Sequence, residues 1–171
     1  MPVVLGKHID QSFYQLDHRF APQDKPAHPL SFQLIAFREA CEVKGGIRMG
    51  RDIPSRAVAP LLSHMMIHEP IDDWSDARVR YAGFGMAKYF GRDVTGLKQS
   101  EIEVGDVGGT LRELFLSARD LVADNRCAVL THRAFDGSIE IIHEELVRFP
   151  IIGTDENRWI VSAAFAFNGP P

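Results

Sequence analysis

The stretch Arg80–Gly96, RYAGFGMAKYFGRDVTG, sets four glycines into seventeen residues between a strand-like run and a polar segment. A dinucleotide loop of the GxGxxG type needs its third glycine at position 88, where helix and strand pack closely, and Lys88 stands there instead. No βαβ unit with a parallel second strand follows. Gly83 and Gly85 therefore read as a corner joining a strand to a short helical turn, and Gly91 and Gly96 as the points where that turn ends.

Working outward, Ala77–Phe84 reads as a strand and Met86–Phe90 as one helical turn. Before them, Asp72-Asp73-Trp74-Ser75-Asp76 has the short acceptor side chains of a turn, and Leu61–Ile71 suits a helical turn followed by a strand. Further upstream, Ser31 can cap a helix carrying Leu34, Ile35, Phe37, Arg38 and Cys41 and stopped by Gly45-Gly46. Residues 1–30, with Pro22, Pro26 and Pro29, read as an extended arm, because each proline removes a donor and restricts its predecessor.

Downstream, Ser100–Gly108 is a polar loop, and Thr110-x-x-Glu113 has the form of a capping box opening a helix over 110–124. Cys127–Phe135, Ser138–Phe149 and Arg158–Phe167 then have strand character, with Asp136-Gly137 as a hairpin turn and Gly153–Asn157 as a second turn. Successive hairpin strands imply an antiparallel sheet and an α+β fold with helices on one face. The 171 residues fit one domain over 31–167, with the arm before it and a tail at 168–171.

The formal net charge is −4 and no Lys/Arg tract occurs, so nucleic acid is not an expected partner. Cys41 and Cys127 lack a CxxC partner, which implies neither a disulfide framework nor a zinc cluster. No run approaches the roughly 20 apolar residues of a membrane span, and MPVVLGKHIDQ is too short for a signal h-region, so a cytoplasmic chain without membrane insertion is expected.

Candidate chemistry centres on histidine. His64 and His68 have HxxxH spacing, but Ile67 and Pro70 favour a strand, on which the two stand roughly 13 Å apart, too far for one ion. They read as surface or pocket-edge histidines, and no metal site is expected. If Asp136-Gly137 is a two-residue loop, Leu130, His132, Ala134, Ile139, Ile141 and His143 share the inner side of the hairpin, with His132 and His143 as diagonal neighbours. Glu144-Glu145 and Asp72-Asp73 read as solvated acids. GxSxG is absent, and neither cysteine sits in a nucleophile motif.

Pro54-Ser55-Arg56, Arg80-Tyr-Ala-Gly83 and Phe90-Gly91-Arg92-Asp93-Val94-Thr95-Gly96, set between a long N-terminal helix and three final strands, resemble a PAS domain. More narrowly the chain is similar to the PAS_5 family of stand-alone bacterial PAS proteins over about residues 31–167. The resemblance implies a five-stranded antiparallel sheet, a cavity between sheet and helices, and a non-enzymatic sensory or regulatory role in bacterial signalling through a protein partner. It implies Phe84, Tyr89, Phe115, Leu130, His132, Ile141 and His143 as candidates for the cavity, with a small metabolite as its occupant. Leu34, Ile35, Phe37, Arg38 and Cys41 become candidates for a homodimer surface.

The ligand itself is not specified. Flavin adduct chemistry is not expected, since Arg92-Asp93-Val94-Thr95 replaces the Asn-Cys-Arg motif of flavin photoreceptors, and haem ligated from the 110–124 helix is not expected because that helix has no histidine. The alternative is a small acid–base enzyme of isomerase or dehydratase type using His132 and His143.

Overall fold

The computed structural model describes residues 13–87, 89–102 and 109–167. Six strands form one sheet: β1 (Asp17–Gln23), β2 (Met65–Ile71), β3 (Asp76–Ala82), β4 (Ala128–Asp136), β5 (Ile139–Ile152) and β6 (Arg158–Ala166). Their spatial order is β1-β4-β5-β6-β2-β3, and every neighbouring pair is antiparallel. The fold is α+β. The sheet has one strand more than expected, because the 1–30 arm supplies β1, which pairs along β4 from Asp17↔Phe135 to Gln23↔Val129. Pro22 is tolerated there because β1 is an edge strand.

The helices are α1 (Pro29–Glu42), α2 (Phe84–Ala87), α3 (Gln99–Ile102), α4 (Thr110–Leu116) and α5 (Ala118–Asp124). They lie on both faces of the sheet rather than on one. Leu34 and Cys41 of α1 are buried with Val147, Phe149, Ile151, Val161 and Phe165, while Phe115, Ala118 and Leu121 of α4 and α5 pack with Trp74, Ala77 and Ile160. β5 serves both cores: Glu145, Val147, Phe149 and Ile151 are buried, and so are the alternating Glu144, Leu146 and Arg148.

Two helix starts differ from the sequence reading. Pro29 occupies the first turn of α1, so the cap falls at His28, whose Nδ1 accepts from Leu30 N–H at 3.0 Å. The same end is held by Glu145, which accepts from the backbone N–H of Ala27 and of His28. That carboxylate, read as solvated from sequence, is fully buried beneath a helix N-terminus. At α4 the cap is Gly109 in the left-handed region (φ 66°) with no side-chain cap bond, so the Thr110 box does not form.

The helix expected over 110–124 breaks at Ser117. Ser117 Oγ donates to Leu114 O at 2.5 Å, and Arg148 Nη1 donates to the same carbonyl at 2.7 Å. Two side-chain donors on one carbonyl replace the bond that would continue the helix into Ala118.

The corner opened by Gly83 is set by contact rather than by backbone angle. A Cβ on Gly83 would lie 2.2 Å from Leu62 O, and one on Gly85 2.7 Å from Ser63 O, in the 3-10 turn Ala59–His64. Among the described residues, no helix is long and apolar enough to cross a membrane.

Candidate functional site

A cavity of about 120 Å³ lies between the sheet and the segments containing α2, α3 and α4. A dry cavity of about 150 Å³ holds a benzene molecule, so the space suits a small organic group of about benzene size or less. Its sheet side is polar: His132 from β4, Glu144 and Arg148 from β5, Ser162 from β6 and His68 from β2. The ladders bring these together, since His132↔Glu144, Arg148↔Ser162 and Met66↔Ser162 are register partners. Its helix side is apolar, with Met86, Phe90, Leu111, Leu114 and Phe115.

The polar groups form a chain. His18 Nδ1 lies 2.9 Å from His132 Nε2, His132 Nδ1 lies 2.7 Å from Glu144 Oε1, and Tyr89 OH donates to Glu144 Oε2 at 2.6 Å. At the other end His18 Nε2 donates to the carbonyl of Phe13. Phe20 of β1 stacks on His132 with ring centroids 4.4 Å apart.

A carbonyl only accepts, so His18 Nε2 carries the hydrogen of the Phe13 link.

Tyr89 is held as the phenol, its pKa pushed well up by burial and then by the charge and hydrogen bond of Glu144. Burial also pushes His68 down to about 4, against its hydrogen bond to Gln99 and with the Arg148 charge acting in the same sense as burial. Its Nε2 lies 3.0 Å from Gln99 Oε1, so His68 is neutral at pH 7 and donates there.

Arg148 is 4% exposed. Its Nε donates to Ser162 Oγ at 3.2 Å, and Nη1 donates to Leu114 O and to Ser117 Oγ at 3.0 Å. Burial lowers its pKa to about 10, which leaves it charged at pH 7.

Comparison with protein-family models, with curated proteins and with solved structures returns no match.

Of the cavity candidates drawn from the sequence, Tyr89, Phe115 and His132 line the cavity. Leu130 packs beside it and lines a neighbouring groove of about 540 Å³ formed with α4, α5 and β1. Phe84 is 90% exposed, because the corner that brings Met86 inward turns residue 84 out.

Ile141 and His143 are displaced by a register change. The turn is Gly137-Ser138, with Asp136↔Ile139, and a bulge between Ala134 and Phe135 shifts the ladder by one residue. His143 then pairs with Arg133 on the opposite face, near Glu140 and Phe167, and Glu144 takes the place beside His132. Ile141 is half-buried at the bulge.

The HxxxH pair is divided between two elements, since only His68 lies on β2. His68 lines the cavity, and His64 ends the 3-10 turn against Phe165. Among the described residues no group of three His, Cys, Asp or Glu is placed to hold a metal.

The dimer candidates are largely internal. Leu34 and Cys41 are core, Ile35 and Phe37 pack against it, and Arg38 donates to Asn125 O at 2.8 Å. Among the motif residues, Pro54, Arg56, Gly91, Arg92, Asp93, Thr95 and Gly96 are exposed, as is Arg80 on β3, Ser55 is half-buried, and Gly83, Phe90 and Val94 are buried. Asp93 Oδ1 accepts from Thr95 N–H at 2.9 Å, which closes a local turn.

The sequence reading did not anticipate His18, Glu144 or Arg148. The signal for Arg148 lies in Leu146-Val-Arg-Phe-Pro-Ile-Ile152: a run apolar at both parities is a strand buried on both faces, so its one charge must be buried too.

Proposed function

We propose that this chain is a PAS-like, non-enzymatic regulatory module of bacterial signalling that holds a small ligand and acts through a protein partner in the cytoplasm. The observation that carries the proposal is the cavity, walled on one side by an antiparallel sheet and on the other by the short helices that follow β3. The element order supports the PAS-like reading: a long helix, the Pro54-Ser55-Arg56 segment, a strand running into Gly83, the short turn to Gly96, further helix and three closing antiparallel strands. A ligand filling the cavity touches α2 and α4 on one side and β5 and β6 on the other, so occupancy favours one packing of these helices and changes the surface offered to the partner.

The acid–base alternative fares less well. Both ring nitrogens of His132 are engaged, by His18 and by Glu144, which leaves neither directed at a substrate. His143 lies on the opposite face of the sheet.

Native mass spectrometry and an absorption spectrum of gently purified protein test the proposal. A retained small mass, or a mass adduct with a saturating probe accompanied by altered amide exchange in α2 and α4, is the expected result. A bare protein that takes up no probe rejects the ligand-binding reading and leaves a scaffold.

A further inference from the structure

On the cavity wall Glu144 is engaged by His132 and Tyr89, and His68 donates to Gln99 as a neutral imidazole. Arg148 remains as one buried positive charge, and among the described residues no carboxylate forms an ion pair with it. Its partners, a backbone carbonyl and two serine hydroxyls, are neutral. They occupy Nε and Nη1 and leave the two N–H groups of Nη2 without a hydrogen bond to a described residue.

A guanidinium removed from water against neutral acceptors alone is an expensive arrangement, and a carboxylate oxygen accepting from Nη2 supplies both the missing negative charge and a charge-assisted hydrogen bond. Arg148 forms part of the wall shared by the cavity and the neighbouring groove. The groove also carries Glu113 and Asp120, which oppose an anion, whereas among the described residues the only carboxylate lining the cavity is Glu144, already engaged by His132 and Tyr89.

Resting on the ligand-binding proposal above, we infer that the cavity takes a small monocarboxylate, its carboxylate on Arg148 and its hydrocarbon part against Met66, Leu111, Leu114, Phe115 and Leu146. One unbalanced positive charge calls for one negative charge, so a dicarboxylate would bury an excess anion near Glu144. A phosphate monoester is disfavoured for the same reason, and it needs more donors than Nη2 offers. The space limits the hydrocarbon part to about the size of a benzene ring, as in benzoate, or of the five-carbon chain of hexanoate.

The test titrates the full chain with hexanoate and benzoate and, in parallel, with hexanamide and benzamide, which keep the shape and remove the charge. Calorimetry and thermal shift are the readouts. At least one acid is expected to bind about tenfold or more tightly than its amide, since a charge-assisted pair is roughly twice as strong as a neutral hydrogen bond. Arg148→Met is expected to abolish that preference while still admitting the amide, and the wild-type comparison stands even if the variant does not fold.

Equal binding of acid and amide overturns the carboxylate assignment and keeps a ligand-binding cavity. Binding of none of the four, with a bare protein in native mass spectrometry, overturns the carboxylate assignment and the ligand-binding reading together.

Discussion

His132 and Glu144 face each other across the β4–β5 ladder with Nδ1 2.7 Å from Oε1, and their side chains are 3% and 5% exposed. Neither group reaches bulk water, so each depends on the other for its hydrogen bonds. His18 and Tyr89 complete the set, which ties the edge strand β1 and the segment after α2 to the middle of the sheet. The chain therefore links three parts of the molecule that no local sequence signal connects.

Glu144→Ala removes a hydrogen-bond partner from two side chains at once, His132 and Tyr89. Breaking a buried pair by deleting one partner destabilises by about 3–5 kcal/mol. Urea unfolding should show a loss of this order, with Glu144→Gln intermediate because it keeps the volume and one acceptor. His143→Ala, on the opposite face, should change stability by about 0.5 kcal/mol or less. An equal loss for Glu144→Ala and His143→Ala would contradict the register described here.

His68 gives stability a pH dependence of definite sign. Its folded pKa of about 4 lies below its ordinary value of 6.5, because burial beside Phe115 and the Arg148 charge disfavour the imidazolium. Between these values the unfolded chain binds the extra proton, so stability is complete above pH 6.5 and is lost as the pH falls towards 4. The full difference is roughly 3 kcal/mol. Urea unfolding from pH 7.5 to 4.5 should show a steeper loss in the wild type than in His68→Asn, and identical slopes would refute the assignment.

The sheet was legible in the sequence wherever one strand followed another through a short turn. Alternation and the Asp136-Gly137 signal place β4 and β5 together, and the Asp72–Asp76 turn places β2 and β3 together. The ladder could not be read to the residue, because a single bulge near Phe135 exchanges His143 for Glu144 at the inner face. Adjacent acids are ordinarily solvated, yet Glu144 and Glu145 are both buried, each by partners more than ten residues away in sequence. Such long-range pairing leaves no periodic trace. The break at Ser117 has the same origin, since the competing donor for Leu114 O comes from Arg148 on β5.

Leu34→Ala tests whether α1 is a core element or an association surface. Leu34 is fully buried among the residues beneath α1, and truncating a buried leucine destabilises by about 2–5 kcal/mol. Its effect should appear in unfolding experiments at constant protein concentration, with no change of oligomeric state by light scattering. Alanine at the exposed Phe32 should leave stability within about 0.5 kcal/mol. A shift in association with unchanged stability for Leu34→Ala would instead place this face at an interface.

Gly83→Ala addresses the corner on which the cavity wall depends. The added Cβ would meet Leu62 O at 2.2 Å and Ser63 O at 2.6 Å, both backbone atoms of the 3-10 turn that cannot rotate away. Gly83 N–H also donates to Met65 O at 2.8 Å, so retreat from the clash breaks a bond at the start of β2. A loss of about 2 kcal/mol or more is expected, in the range of overpacking changes. Displacement of the corner also moves Tyr89 away from Glu144, so amide exchange should rise in residues 84–90 and the uptake of a carboxylate probe should fall with it. Phe84→Ala is the matched control: that side chain is 90% exposed, and its removal should leave both stability and probe uptake unchanged. If Phe84→Ala reduces uptake while Gly83→Ala does not, the wall of the cavity is built from the outer surface of the corner and not from its close approach to the 3-10 turn.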